Sequence, residues 1–332
     1  MTIQRSSGQS ISFSQIRNEF GAGQNRIGQY RRDDPSFRYQ NRGELSGLPL
    51  DNGIPTSGSI SYSQFYQKKA NAVVNCHGSG NSQYGFNARD QRFNTGQYVV
   101  VGGYRDSLNP NQWQGGKKII IHVNKDYGSG GASSQNHTAF NVGQWPANSD
   151  VVLNVGTQGR IVGRGGNGAQ GSTGGGGNDG KQGSSGLRQP SNPTAQGRSF
   201  NIQNNGLIAG GGGGGGGGAH AEQNDPPVDY NDADGASGGG GAGLPAGERG
   251  GNANGNEEGQ DGNLIQGGQG GQGEDDSEAE GGNGGKGGDV GGGQQFGEFN
   301  GENGQGGSEG KNKEGNNGDG GEGGFATVGY TW

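Results

Sequence analysis

The sequence predicts a mostly irregular and β protein: short N-terminal helices, a small antiparallel β neck, and a C-terminal stack of polyglycine-II helices. Three observations carry this expectation. An internal repeat with helix-start signals occupies the first seventy residues, short β-branched runs follow, and glycine then dominates with a period of three. Of the 84 glycines in 332 residues, 20 lie in residues 1–150 and 64 in residues 151–332. Formal charge splits at the same point, about +6 before it and about −13 after it. The expected parts are a docking module over 1–71, a β-rich neck over 72–155 and the glycine body over 156–332.

In the first part, Ser10-Ile-Ser-Phe-Ser-Gln15-Ile16 recurs 49 residues later as Ser59-Ile-Ser-Tyr-Ser-Gln64-Phe65. Ser12 and Ser61 each stand three residues before a glutamine, the pattern of a capping box at a helix start. Phe13, Ile16 and Phe20 share one face of a short helix that Gly21 can end. The segment between the copies is turn-rich, from Gly47 to Pro55. So small a module is suited to docking on a partner, with Phe13, Ile16, Phe20, Tyr62 and Phe65 as the docking candidates.

In the second part, Ala72–Val74, Gln97–Val101, Lys118–Val123 and Asp150–Val155 are β-branched runs. Clusters of Gly, Asn, Asp and Ser divide them, which reads as antiparallel strands of a small sandwich.

From residue 154 a second repeat begins. Asn154-Val-Gly-Thr-Gln-Gly159-Arg-Ile161-Val-Gly163 recurs as Asn201-Ile-Gln-Asn-Asn-Gly206-Leu-Ile208-Ala-Gly210, with a shorter echo at Gly262–Gly267. Glycine-dense stretches follow, including nine consecutive glycines from Gly210 to Gly218 and triplets such as Gly281-Gly-Asn-Gly-Gly-Lys-Gly-Gly-Asp289. A period of three matches the polyproline-II helix, which makes no internal hydrogen bonds. Its backbone groups then need partners on neighbouring segments. The ten prolines and broken triplets exclude collagen. The apolar tail Phe325–Trp332, after a long polar stretch, is expected to pack back on the body as a latch.

Other classes fall away on chemistry. The single cysteine, Cys76, excludes an intrachain disulfide. The N-terminus lacks an apolar signal-peptide core, which implies synthesis in a cytoplasm, and no apolar run approaches a membrane span. The acidic second half argues against nucleic acid. Cys76-His77 has no third group to orient it, so no catalytic residue is expected. His122, His137 and His220 show no metal-ligand spacing, and neither a metal nor a cofactor is implied.

Val152-Leu-Asn-Val155 leading to Gly163-Arg-Gly-Gly-Asn-Gly168, then Asn204-Asn-Gly-Leu-Ile-Ala-Gly210 opening the glycine run, resembles the distal tail-fibre adhesins of T-even-type phages over about residues 140–332. The resemblance implies a sandwich of polyglycine-II helices whose connecting loops touch an outer-membrane protein or lipopolysaccharide of the host. It implies location on the virion. The N-terminal half lacks the Trp-rich attachment domain of those adhesins and is similar instead to segments of other phage tail structural proteins. Its partner could be a fibre tip, a baseplate component or a spike.

Under that resemblance the loop Ala219–Gly235 is the first receptor-binding candidate, through His220, Asp225, Asp229, Tyr230, Asp232 and Asp234. Phe296 and Phe299 are further candidates. Leu187–Pro190 is a weaker one, and Glu274–Glu280 reads as a solvated charge run. The alternative reading is a structural tail or baseplate component without receptor contact. A secreted ice-binding protein is a more remote rival.

Overall fold

The structure is a computed structural model that describes residues 10–20, 26–30, 54–55, 57–68, 72–76, 82–84, 86–87, 98–101, 104–105, 118–129, 138–142, 145, 147–188, 197–225, 229–251, 258–275, 279–290, 304–308, 311–312 and 330–331. The N-terminal module holds one α-helix, α1 (Phe13–Phe20). Its start is a capping box: Ser12 N–H donates to Gln15 Oε1 (2.9 Å) and Gln15 N–H to Ser12 Oγ (3.2 Å). The second copy of the repeat makes a short 3-10 helix, Tyr62–Phe65. There Ser61 N–H donates to Gln64 Oε1 at 2.7 Å. Ser61 Oγ also bonds Ser63 Oγ (2.8 Å). Tyr30 sits between the two copies, edge-on to Phe13 and to Phe65, with Ile11, Ile16 and Ile54 completing a small core.

The β region corrects the antiparallel expectation. Its strands form a three-sided coil in which each turn of chain lays one strand on each of three sheets. The first rung is β1 (Ala72–Cys76), β2 (Ser82–Tyr84) and β3 (Phe86–Asn87), and β4 (Tyr98–Val101) with β5 (Tyr104–Arg105) runs antiparallel beside β1. The second rung is β6 (Lys118–Val123), β7 (Asp126–Gly128) and β8 (Thr138–Asn141). The third is β9 (Asp150–Val155), β10 (Arg160–Val162) and β11 (Ser185–Arg188). The fourth is β12 (Ser199–Asn204), β13 (Leu207–Ala209) and, from the far end of the chain, β18 (Tyr330–Thr331). The sheets run β12-β9-β6-β1, β13-β10-β7-β2 and β18-β11-β8-β3, every neighbour in these three runs parallel.

Parallel pairing here needs no helical crossover, because each strand meets its partner after a full turn of the coil. Alternate residues point into the shared core. Ile119, Ile121 and Val123 stack under Val151, Leu153 and Val155, and Tyr127, Phe140, Ile161, Leu187 and Ile208 reach the same core from the other two sheets. The second repeat is this coil seen in sequence. Its later half is in true register, Ile161 opposite Ile208, while its earlier half slips by two: Asn154 faces Gln203, not Asn201. The corner Gly156–Gly159 has four residues and its successor Asn205-Gly206 has two. The C-terminal strand pairs Tyr330 with Leu187 and Thr331 with Arg188, and the rest of the expected latch 325–332 lies outside the described residues.

Glycine excursions are inserted between the second and third strands of the last two rungs. Residues 163–172 leave β10 and 178–184 return to β11; residues 210–220 leave β13, and the chain shuttles out and back before reaching β18. The segments are joined by backbone hydrogen bonds at intervals of three residues. Gly166, Ala169 and Ser172 donate to Gly212, Gly215 and Gly218; Gly211, Gly214 and Gly217 donate to Ser184, Lys181 and Asn178.

The segment 234–243 is buried throughout. Successive residues donate to three different neighbours: Gly238 to Ala169, Gly239 to Gly285 and Gly240 to Gln260. Its carbonyls accept from three others, Ser237 from Gly271, Gly238 from Gly250 and Gly239 from Gly215. With six neighbours there is room for only the smallest side chains, and between Gly235 and Gly243 the glycines are interrupted by Ala236, Ser237 and Ala242 alone. A Cβ on Gly214, Gly215 or Gly238 would collide with the carbonyls of Asn167, Gly285 or Gly215, none of which can move aside as a flexible side chain could. Segments at the periphery keep one open direction, and there the side chains return every third residue, as at Asn283, Lys286 and Asp289.

We predict that Gly238→Ala destabilises the protein by about 1–3 kcal/mol, as overpacking of a filled interior does. Gly174→Ala, which meets no atom within 4 Å, should change stability by less than about 0.5 kcal/mol. Thermal unfolding of the two variants checks this.

Candidate functional site

Because 163–172 and 210–220 run outward together and every other segment alternates with them, the outer connections gather at one end. They are the turn 173–177, the excursion 219–234, and the connection 274–281. The described ends of 246–251 and 258–263 and of 304–308 point the same way. The excursion 219–234 is a hairpin of β14 (Ala221–Asp225) and β15 (Asp229–Ala233). Beside it lie β16 (Ala279–Glu280) and β17 (Lys311–Asn312), antiparallel to each other. Ala221, Ala233 and Ala279 form the small apolar contact between the two pairs. Alanine suits that junction because it packs without pushing the backbones apart.

The six candidates in this excursion divide into two groups. Asp225, Asp229, Tyr230 and Asp232 lie on the hairpin, with Asp225 opposite Asp229, Asn224 opposite Tyr230 and Glu222 opposite Asp232. His220 and Asp234 are not on the hairpin arms. They are buried at its foot, where His220 Nδ1 meets Asp234 Oδ1 at 3.1 Å. Around them the backbone is tied to neighbouring connections: His220 N–H donates to Gly175 O, and Asp234 N–H to Glu274 Oε2 (3.3 Å). Glu274 N–H returns a bond to Asp234 O (3.1 Å).

Sequence reasoning missed this role for Glu274, placed in a solvated run, and did not bring Asp275–Glu280 beside the hairpin. The signal for the buried pair was present: the alternation Ala219-His220-Ala221 and Ala233-Asp234-Gly235 puts 220 and 234 opposite each other in the hairpin register.

The remaining candidates are dispersed. Phe296 and Phe299 lie outside the described residues. Leu187 is not in a loop at all; it is a core residue of β11 with 0% exposure. In the N-terminal module Ile16 and Phe65 are buried in its own core and Phe13 is half-buried, whereas Tyr62 is 43% exposed. Phe20 ends α1.

A polar cleft of about 540 Å³ lies at the corner where β10 begins, lined by Asn124, Lys125, Asp126, Thr157, Gln158 and Arg160, with Arg160 paired to Asp126 at 2.8 Å. It stands at the opposite end of the extended run from the outer turns.

Cys76 is a core residue packed in the same cluster as Tyr127. Burial raises its thiol pKa far above the ordinary range, and the neighbouring Tyr127 only partly offsets this. Burial likewise raises that of Tyr127, with Cys76 adding to the shift. A thiol held neutral is a poor nucleophile. Among the described residues no group of three or more His, Cys, Asp or Glu is arranged to hold a metal ion, and no helix is long and apolar enough to cross a membrane.

The phage tail fibre adhesin Gp38 family matches residues 81–330. The chain belongs to this family. It is a viral tail-fibre adhesin, so the work to be explained is attachment rather than turnover. One solved structure is also similar: the gp37–gp38 adhesin tip complex of the long tail fibre of bacteriophage S16, at 19% identity over 99% of this chain and 94% of that one, with a TM-score of 0.40. No curated protein sequence matches. In this adhesin the coil and the glycine segments form the body from which the outer connections emerge.

Cys76 gives a direct check on the coil. The thiol should resist an aromatic disulfide reagent in the folded adhesin and react fully in denaturant. Since its folded pKa is raised, stability should be level below the ordinary thiol pKa and should fall as pH rises past it, because only the unfolded chain then releases the proton. Rapid labelling of the native protein at neutral pH would contradict the buried assignment.

Proposed function

We propose that the glycine segments form a polyglycine-II sandwich and that the connections at its outer end bind a receptor on the bacterial surface, an outer-membrane protein or lipopolysaccharide. The observation that carries the reading is the convergence of the hairpin 219–234, the turn 173–177 and the connection 274–281 at one end of a body bonded every third residue. A three-residue repeat of lateral backbone bonds is what polyproline-II geometry produces. Ten residues of such a helix would carry the turns about 30 Å from the coil, at roughly 3.1 Å per residue. Polar and aromatic groups on connections held by a rigid scaffold are the usual arrangement for recognition.

The N-terminal half would dock on other tail proteins, with the exposed Tyr62 as its presented aromatic. Aromatic residues are enriched at such interfaces. On this reading the protein is carried on the virion after synthesis in the host cytoplasm.

Replacing residues 222–232 by a glycine-serine linker should abolish binding of the purified full chain to host cells while leaving its thermal unfolding unchanged. A pull-down on intact cells measures the first and calorimetry the second. Undiminished binding would overturn the receptor reading and return the outer end to a structural role.

A further inference from the structure

His220 and Asp234 were expected at the receptor, and the structure buries both. Their side chains are 7% and 10% exposed and meet at 3.1 Å. They sit where two glycine segments become a hairpin, at the last level before Ala221 and Ala233. The feet of three connections meet here. His220 N–H is bonded to Gly175 O, Ala219 N–H to Ser308 O, and Asp234 to both Glu274 N–H and Glu274 Oε2.

Below this level, orientation is set by the lattice, in which every glycine has fixed neighbours. Above it, among the described residues, the hairpin is held by its own ladder and by its contact with β16 and β17, where the small alanine cluster lies. An apolar pair would fill the same space without desolvating two polar groups. A buried polar pair is directional, and a wrong hairpin orientation leaves both groups unsatisfied.

We infer that His220 and Asp234 are positioning residues that fix the direction in which the hairpin 221–233 is presented to the receptor. The inference rests on the receptor reading given above. The pair specifies how the hairpin leaves the body, and Glu274 extends the same clamp to the neighbouring connection. None of the three need touch the receptor. Loss of the pair would loosen the hairpin on the body without dissolving the glycine lattice, since the lattice bonds below it are independent of either side chain.

The test uses the full chain and two readouts, host-cell binding and amide hydrogen exchange of residues 222–232. His220→Leu removes the bond and keeps much of the volume. It should weaken cell binding by about tenfold or more and speed hairpin exchange by a similar factor, with exchange in 211–218 unchanged. His220→Asn, whose amide reaches where Nδ1 stands, should restore binding to within about threefold of the unaltered chain.

If His220→Leu does not fold, the double variant His220→Ala/Asp234→Ala, which leaves no buried charge alone, should show the same loss. Normal binding and normal hairpin exchange in a folded His220→Leu or double variant would overturn the positioning role. So would failure of His220→Asn to rescue. The two readings separate through the linker variant of 222–232. If it loses binding while the His220 variants do not, only the positioning inference falls; if it too binds normally, the receptor reading falls with it.

Discussion

The protein depends on one interaction repeated throughout its outer half: a backbone N–H of one glycine segment bonded to a carbonyl of another, every third residue. A single such bond contributes only about 0.5–1.5 kcal/mol net. The arrangement works because the donors rotate through three neighbours and the carbonyls serve three more, so an interior segment is held from all sides. The same closeness excludes a Cβ from most interior positions. Glycine is therefore required by contact here, despite the conformational entropy it loses on folding. The near absence of large apolar residues follows from that constraint.

The coil supplies what the glycine segments cannot. A lattice without side chains has no means of fixing its own register by shape. Its first bonds continue the ladder of the second sheet: Gly163 N–H donates to Ala209 O directly after the pairs Ile161–Ile208 and Val162–Ala209. The junction is also apolar, with Val162, Ala209, Ala242 and Val290 packed together and Leu244 and Leu264 against them. At the far end β18 returns to the third sheet, so the whole excursion is a closed loop on one core. Register passes from packed side chains to backbone bonds, and then to the hairpin through His220 and Asp234.

Much of this was readable in the residues. The runs Ala72–Val74, Lys118–Val123 and Asp150–Val155 lie in strands, as does Tyr98–Val101 of the run Gln97–Val101, and the glycine period coincides with the bonding interval. Strand direction was not readable, because β-branched runs between turns look alike whether the next strand lies beside them or a whole coil away. The short strands β2, β7, β10 and β13 were missed, being only three residues long, yet they supply one whole side of the coil. The repeat 154–163 and 201–210 was the available sign of parallel stacking, since stacked rungs align at similar intervals. Its third echo misleads: Leu264 lies in a turn against the coil, not on a strand. Burial of His220 and Asp234 was hidden because a charged loop reads as solvated until its register is known.

Amide hydrogen exchange across Gly211–Gly218 tests the central claim most directly. Seven of these eight amides donate to three different segments, 178–184, 234–244 and 304–308. The account predicts protection comparable to that of Val151–Val155 in the coil, although the stretch has no side chain to bury. Exchange at the rate of an unstructured chain would contradict it, and would leave the outer connections with no scaffold to hold them.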